Sequence, residues 1–254
     1  MQKIGYIIRR ELKSFFVSPS AYMLCVVFLV LTAIFFRGNV TSFIEVRNQP
    51  LPWPELAALR TLDKMVIQPF FGQMSLLYLL LPILTMRLLA EEKKLHTIEL
   101  LFTSPLSIGQ IVIGKYLASV ILLAITLIMT LPGPVLTLLY GNPNPGILLT
   151  GYLGLFFVGL SFLALGLFAS SLTDNQIIAA ILGFGLLVLF WIIGGAPHVV
   201  GVGLGMVLAH LSILEHFYVF TKGLVELKDV VFFLSFIFFF LFLTYQVLES
   251  NRWR

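Results

Sequence analysis

Few residues of this 254-residue chain have a spacing that could support catalysis. The segment from Gly109 to Lys115 matches most of the phosphate-binding pattern G-x-x-x-x-G-K-[ST], in which backbone N–H groups and a lysine bind a nucleotide. The next residue is Tyr116, which lacks the hydroxyl that would reach magnesium, and no strand precedes the segment. We therefore interpret the match as accidental and Lys115 as an anchor at the membrane interface.

The histidines and nucleophiles do not complete a catalytic site either. His210 and His216 are six residues apart, so they do not share a helical face as the histidines of H-E-x-x-H do, and we interpret both as outward-facing side chains at a wet interface. There is no G-x-S-x-G elbow, and the one cysteine, Cys25, lies in an apolar run where an inert thiol is expected. We predict that this chain is not an enzyme and holds no metal or cofactor of its own.

The composition indicates a membrane protein. Hydrophobic residues make up 59% of the chain and charged residues 11%, whereas soluble proteins average roughly 45–50% and 25%. This composition argues against a soluble enzyme, a disordered regulator and a nucleic-acid-binding domain. We expect the lipid bilayer as a partner, no nucleic acid, and the excess positive charge of +4 on the cytosolic side.

Six apolar stretches are long enough to cross the membrane, which takes about 20 residues. They are Ser20–Phe36, Phe70–Leu89, Ile111–Leu139, Ile147–Ser170, Gln176–Ala196 and Val230–Val247. We predict an all-α membrane protein with one transmembrane domain over residues 1–254. It consists of a connecting helix (1–19), a six-span bundle (20–247) and a cytosolic tail (248–254), with a polar loop from Arg37 to Gln68.

The stretch 199–220 is apolar but interrupted by glycines and by charged and histidine residues. Its uninterrupted apolar part covers about half a membrane thickness, so we favour a re-entrant or external hairpin over a seventh span. Six spans also leave both termini on one side. That side carries ten Lys and Arg residues against six on the other, which predicts cytosolic termini.

The central parts of the six spans contain no Asp, Glu, Lys, Arg or His. Ionisable groups inside a bilayer usually mark ion or proton pathways, so their absence argues against a self-powered transporter. Glycines in the fourth and fifth spans predict close helix packing. They are Gly151, Gly154, Gly159, Gly166, Gly183 and Gly185.

Residues Lys3–Phe16 form an amphipathic leader. Apolar residues such as Ile4, Ile7 and Ile8 recur at helical spacing, while basic residues, including Arg9 and Arg10, take the other face. Glu11 breaks the pattern, because it falls in the apolar sector. We expect either that a neighbouring Arg or Lys neutralises it at the interface or that it contacts a cytosolic partner or a second leader.

The segment Arg87–Tyr116 contains a second amphipathic pattern. Leu95, Ile98 and Leu101 repeat at helical spacing beside several charged residues, Pro105 disfavours helix before it, and Ser107 is placed to cap the next span. A short cytosolic helix joined stiffly to two spans can act as a lever. It could equally lie on the lipid surface.

This segment resembles the signature region of ABC-2-type transporter permeases. The matching residues are Glu91, Glu92, Thr97, Glu99, Leu100, Leu101, Ser104, Pro105, Gly114 and Lys115. His96 departs from the pattern, since many relatives have glycine there. Arg10-Glu11-Leu12 with Ser18-Pro19 resembles the family's first helix, and Phe168–Gln176 and Val247–Ser250 are similar to the gliding-motility-associated branch.

The resemblance implies a permease subunit in the fold of type V ABC exporters, located in the bacterial cytoplasmic membrane. A separate cytosolic ATPase dimer would bind ATP and Mg²⁺, and a second permease subunit, identical or related, would pair with this one. The implied docking residues of the coupling helix are Glu91, Glu92, His96, Thr97, Glu99, Leu100, Leu101, Thr103, Ser104 and Pro105. A second cytosolic contact would comprise Thr173, Asp174 and Asn175, and the connecting helix would contribute Arg9, Arg10 and Glu11.

Two other functions remain open at this point. One is a scaffold subunit that transmits the ATPase cycle to partner proteins and moves no substrate. The other is an ion-coupled secondary transporter or channel. The expected function is export driven by the separate ATPase through the coupling helix.

Overall fold

The computed structural model describes residues 2–47, 60–97, 106–195, 208 and 210–252, which form helices and turns without a strand. The α-helices are α1 (Gln2–Val17), α2 (Pro19–Arg47), α3 (Gln68–Leu77), α4 (Leu81–Thr85), α5 (Arg87–Lys94), α6 (Ile108–Thr130), α7 (Pro132–Gly141), α8 (Pro145–Ser171), α9 (Gln176–Ile192), α10 (Ile213–Thr221) and α11 (Leu227–Arg252). The predicted all-helical class is confirmed.

Among the described residues, five helical segments are long and apolar enough to cross a membrane. They are Ala21–Arg47, Asp63–Lys94, Ile108–Gly141, Pro145–Ser171 and Leu227–Asn251. The fifth predicted span corresponds to α9, a shorter apolar helix of 17 residues. Residues 196–207, where we expected the first half of a hairpin, lie outside the described residues, so the six-span count and the hairpin stay predictions.

The first span is longer than expected. The prediction of a polar loop from Arg37 onward is wrong, because α2 continues to Arg47. At 1.5 Å per residue its 29 residues span about 43 Å, more than the roughly 30 Å of hydrocarbon, so the helix projects beyond the membrane. The Asn39 amide donates to the Gln73 side chain at 2.9 Å and holds this extension against α3.

The second span is interrupted where prolines remove backbone donors. A π-helical turn over Asp63–Ile67 precedes Pro69, and a 3-10 turn over Tyr78–Leu80 precedes Pro82. Proline has no N–H, so the carbonyl four residues earlier loses its usual donor and the helical hydrogen-bond pattern changes locally. Met86 then separates α4 from α5. The C-terminal end of this span, α5, is therefore a short helix of its own.

Helix α8 lies at the centre of the bundle, in contact with α3 to α6 and with α9 to α11. Of its most apolar stretch 72% is buried, compared with 17% for α2 and 28% for α11. Between α2, the second span and α6, the cavity bounded by Phe28, Tyr78 and Thr126 measures only about 20 Å³, room for about one water. The outer faces of α2 and α11 are left for lipid or for another subunit.

On the other side of the membrane from α5, a histidine fastens α10 to α11. The Nδ1 atom of His216 lies 2.6 Å from Asp229 Oδ1, and its ring stacks on Phe232 with centroids 3.9 Å apart. The expectation that His216 faces outward is wrong, because its partner lies on the next helix and cannot be found from spacing within its own helix. The Nε2 atom also contacts the His210 carbonyl at 3.1 Å.

Most of the glycines in α8 sit where a neighbouring side chain approaches the backbone. A Cβ added to Gly166 would lie 2.2 Å from Thr85 Oγ1, and one added to Gly151 would lie 2.0 Å from the Phe71 ring. Gly185 in α9 is an exception to the expected close packing, since no heavy atom lies within 4 Å of its added Cβ.

We expect Gly166→Ala to lower the free energy of unfolding by about 1–3 kcal/mol, because the methyl group would displace the buried, β-branched Thr85. The matched control Gly185→Ala should be neutral or stabilise by up to about 1 kcal/mol, since alanine is the better helix former. Denaturant titration of both variants in the same detergent measures this. Equal effects at the two positions would contradict the packing described here.

Candidate functional site

Four charged side chains from three separate helices converge at one end of the bundle, the end that we predict to be cytosolic. Lys115 Nζ on α6 lies 3.0 Å from Glu11 Oε1 on α1 and 2.9 Å from Glu92 Oε1 on α5. Arg10 Nη2 lies 2.8 Å from the same Glu11 oxygen and 2.6 Å from the same Glu92 oxygen. We call these four residues the charge cluster; it contains two cations and two anions.

Burial makes the charge cluster energetically significant. The Lys115 side chain is 1% exposed, Glu11 is 11% and Glu92 is 15%, whereas Arg10 at the rim is 46% exposed. An ammonium group cannot be buried at this depth without compensating charge. Removing one partner would leave an uncompensated charge, so each group holds the others in position.

The charge cluster also sets the ionisation of Glu11. Burial alone would raise the pKa of this carboxyl, but the Lys115 ammonium and the Arg10 guanidinium outweigh it and hold the pKa below its usual value. A depressed carboxyl pKa stabilises the fold above the unfolded pKa of about 4.3, and this contribution is lost only as the pH falls through the lower, folded value. The pairing is therefore complete at neutral pH.

The sequence of α1 directs Glu11 to this position. Ile7, Glu11 and Phe15 follow one another at four-residue spacing and are the buried residues of the helix. A Cβ on Gly114 would lie 2.8 Å from Ile7, so the glycine allows α1 to approach α6 closely, one residue before Lys115. The expectation that Glu11 is neutralised by a neighbouring Arg or Lys is confirmed.

Helix α5 is attached to α8 as well. The buried Ser170 hydroxyl accepts hydrogen bonds from the N–H groups of Leu89 and Ala90 at 3.1 and 3.0 Å and donates to the Met86 carbonyl at 2.9 Å. Lys93 Nζ donates to the Ser171 carbonyl at the end of α8. Ser170 thus satisfies backbone groups at the break between α4 and α5.

The predicted second cytosolic contact begins directly after α8. Asp174 is exposed, and Asn175 accepts hydrogen bonds from the N–H groups of Ile177 and Ile178 and so caps α9. Asn175 N in turn donates to Thr173 Oγ1 at 3.1 Å. Because Lys93 contacts the residue at the end of α8, the described start of the first predicted contact lies next to the second one.

Helix α5 ends in a turn at His96, whose φ of 55° is left-handed. Residues that follow the end of a helix often adopt this conformation, and glycine adopts it most easily. Many of the permeases that this segment resembles have glycine at this position. The Thr97 hydroxyl donates to the Glu92 carbonyl at 3.3 Å, one of the last carbonyls that the helix leaves without a partner. The histidine therefore occupies a backbone position suited to glycine.

The remaining predicted docking residues lie outside the described residues. They are Glu99, Leu100, Leu101, Thr103, Ser104 and Pro105. Of the others, Arg9 is exposed, Glu91 and Thr97 are half-buried, and Glu92 faces the charge cluster with one oxygen. The role of the whole set in docking stays a prediction.

Two residues of this region were missed or misread from the sequence. Lys115 is not an interfacial anchor, since it is buried between two carboxylates. The signal available was the pair of an acidic residue in an apolar sector and a lysine inside an apolar run. Ser170 had no such signal, because a serine near the end of an apolar helix is ordinary.

The structure also bears on nucleotide and metal binding. Gly109–Lys115 lies within α6, where the backbone N–H groups point along the helix and form no phosphate-binding loop. Ser107 caps this helix as expected, accepting from Gln110 N at 3.3 Å. Within the described ranges, no three His, Cys, Asp or Glu side chains lie close enough together to hold a metal ion.

Comparison with known proteins identifies one family. The model of the family described as ABC-2 family transporter protein matches residues 7–253, nearly the whole chain. No curated protein matches the sequence.

We expect Lys115→Met to lower the free energy of unfolding by about 3–5 kcal/mol, because the two largely buried carboxylates would share one cation, the partly exposed Arg10. The control Lys94→Met removes an exposed lysine from α5 and should change stability by less than about 0.5 kcal/mol. The double variant Glu11→Gln/Lys115→Met should lose less unfolding free energy than the sum of the losses measured for Glu11→Gln alone and for Lys115→Met alone. Additive losses in this double-mutant cycle would show that the two side chains do not interact.

We expect the free energy of unfolding of His96→Gly to exceed that of His96→Ala by about 1 kcal/mol. Both variants lack the imidazole, but only glycine adopts φ 55° without strain. At Lys94, the last residue of α5, the order should reverse: Lys94→Ala should be more stable than Lys94→Gly by a similar amount. Thermal unfolding of the four variants tests this difference. The same order at both positions would rule out the left-handed turn.

Proposed function

The chain belongs to the ABC-2 family of transporter proteins and is a multi-pass membrane component of an ABC transporter, and from this premise we propose that a separate cytosolic ATPase drives it through α5 and the residues that follow. The observation that carries the proposal is the charge cluster. It joins α1, α5 and α6 at one cytosolic corner, so a displacement of α5 reaches two other helices directly. The sequence resembles the permease signature over this same region.

Docking would involve the residues that the cluster leaves accessible. Glu91 is half-buried and Asp174 is exposed, and the two predicted contacts lie side by side. Glu92 has a different task, because its Oε1 already binds Lys115 and Arg10. We assign Glu92 to the transmission of movement inside the subunit and the segment from Glu91 to Pro105 to contact with the ATPase. Only a contact whose affinity differs between the states of the ATPase can shift the permease.

A path for the substrate would form between two permease subunits. The described interior of one subunit is filled by aromatic side chains such as Tyr78 and Phe162, which are fully buried. The largely unburied apolar faces of α2 and α11 supply surface for a second copy or a related subunit. We propose export as the direction and the bacterial cytoplasmic membrane as the location, with cytosolic termini supported by the distribution of basic residues.

The test is purification of the tagged full-length chain from its native membranes, followed by measurement of ATP hydrolysis in the purified sample. Hydrolysis should accompany the wild-type chain, and the chain produced alone should show none. Glu99→Lys and Asp174→Lys should each reduce the co-purifying activity at least about tenfold, if each loses a charged contact worth about 1.5–3 kcal/mol.

Glu45→Lys is the matched control, because Glu45 is exposed near the end of α2 away from α5. It should leave the co-purifying activity and the amount of protein in the membrane unchanged. If Glu99→Lys and Asp174→Lys behave like Glu45→Lys, docking does not occur here. Hydrolysis by the chain alone would overturn the proposal of a separate ATPase.

A further inference from the structure

A cavity of about 560 Å³ lies where α1 meets α2, α4 and α5, beside the charge cluster. This volume is within the range of roughly 300–1,000 Å³ that is usual for small-molecule sites. Its polar wall comes from α5 and the end of α1, and its apolar wall comes from the junctions of α1 with α2 and of α4 with α5. The cavity therefore has a charged end and an apolar end.

The cation at the charged end is Arg87. Its Nη1 donates to Ser18 Oγ at 2.7 Å, and its Nε is buried without an acceptor among the described residues. In the described part of the chain, no carboxylate forms a salt bridge with Arg87, whereas Arg10 and Lys115 are neutralised by Glu11 and Glu92. A buried guanidinium donor without an acceptor costs free energy that an anionic ligand would recover.

The anion at the same end is the second oxygen of Glu92. Both cations of the charge cluster bind Oε1, and Oε2 is buried with no donor among the described residues. Glu91 also lines the cavity. A ligand that matches this end has a negative group for Arg87 and a positively charged group that donates hydrogen bonds to Glu92.

The apolar end faces the bilayer. Val17 is 73% exposed and Ile83 is 42% exposed, and both line the cavity together with Ala21. Val17 ends the amphipathic leader and Ala21 begins the first apolar run, so this end lies at the level of the lipid headgroups. A ligand with hydrocarbon chains could leave the cavity here without exposing them to water.

We propose that this cavity binds a zwitterionic phospholipid with a primary amine, of the phosphatidylethanolamine class, from the cytosolic leaflet. Its phosphate contacts Arg87 and Ser18, its ammonium donates to Glu92 Oε2, and its acyl chains pass Val17 and Ile83. The bound lipid joins α1 to α5 beside the charge cluster. The inference requires only that the chain spans a membrane, and it is independent of ATPase docking.

The test uses the full-length chain in nanodiscs of phosphatidylethanolamine, phosphatidylcholine and phosphatidylglycerol in equal amounts, released for native mass spectrometry. One phosphatidylethanolamine per chain should be retained, at least about tenfold above the other two lipids. Phosphatidylcholine has the phosphate but no N–H donor, and phosphatidylglycerol has the phosphate but no cation. Equal retention of the three lipids would overturn the proposal.

Arg87→Gln should abolish the retention, and the milder Ser18→Ala should reduce it in a chain whose unfolding temperature serves as a folding check. Arg9→Gln, which removes an exposed arginine of α1 outside the cavity, should retain the lipid as the wild type does. Glu92→Gln should reduce the preference for phosphatidylethanolamine over phosphatidylcholine while some phospholipid still binds.

Excess inorganic phosphate distinguishes a lipid from a free anion. The lipid should persist, because the acyl chains contribute to its binding; displacement by phosphate would replace the lipid assignment with a simple anion site. Retention unchanged in Arg87→Gln would also overturn the proposal. The proposal would also be overturned if the assembled complex held no lipid in the cavity because residues 98–105 or a partner surface filled it.

Discussion

The structure depends on one buried ammonium group. Lys115 lies inside the first turns of an otherwise apolar helix, and only the carboxylates of Glu11 and Glu92 make its burial tolerable. Those carboxylates come from the leader helix α1 and from α5 at the C-terminal end of the second span, so the compensation of one charge fixes the relative position of three helices. Apolar contacts such as that of Ile7 with Gly114 would allow sliding, whereas ion pairs with oxygen–nitrogen distances near 3 Å define a position.

Helix α8 provides the corresponding organisation across the membrane. At its C-terminal end Ser170 binds the backbone at the start of α5, and near its N-terminal end the Thr150 hydroxyl donates to the Phe220 carbonyl of α10 at 2.8 Å. Its 27 residues extend about 40 Å, and Gly151 and Gly166 let the flanking helices approach its backbone. One helix thus contacts both α5, at the corner that we propose faces the ATPase, and α10 at the opposite end of the bundle.

The sequence predicted features that are encoded locally and missed those that depend on distant partners. The apolar runs, the amphipathic leader and the cap at Ser107 all follow from residues close to one another. The sequence analysis ended the first span at Phe36, because the residues that follow are polar. None of those residues ends the helix, which continues to Arg47. Lys115 and Glu11 are 104 residues apart and His216 and Asp229 are on different helices, so their pairing requires the fold. Five of the ten residues that carry the family resemblance, Glu99, Leu100, Leu101, Ser104 and Pro105, lie outside the described residues, so their docking role stays a prediction.

The interrupted second span has a mechanical consequence. A continuous α-helix behaves as a stiff rod, but this one is jointed at a π-helical turn, a 3-10 turn and Met86. Torque applied to α5 would dissipate at these joints before it reached the outer leaflet along the same helix. The stiffer connections run from α5 to the neighbouring helices, through Ser170 to α8 and through Lys115 to α6. If the proposed ATPase displaces α5, the helices that carry the movement across the bilayer are therefore different from the helix that receives it.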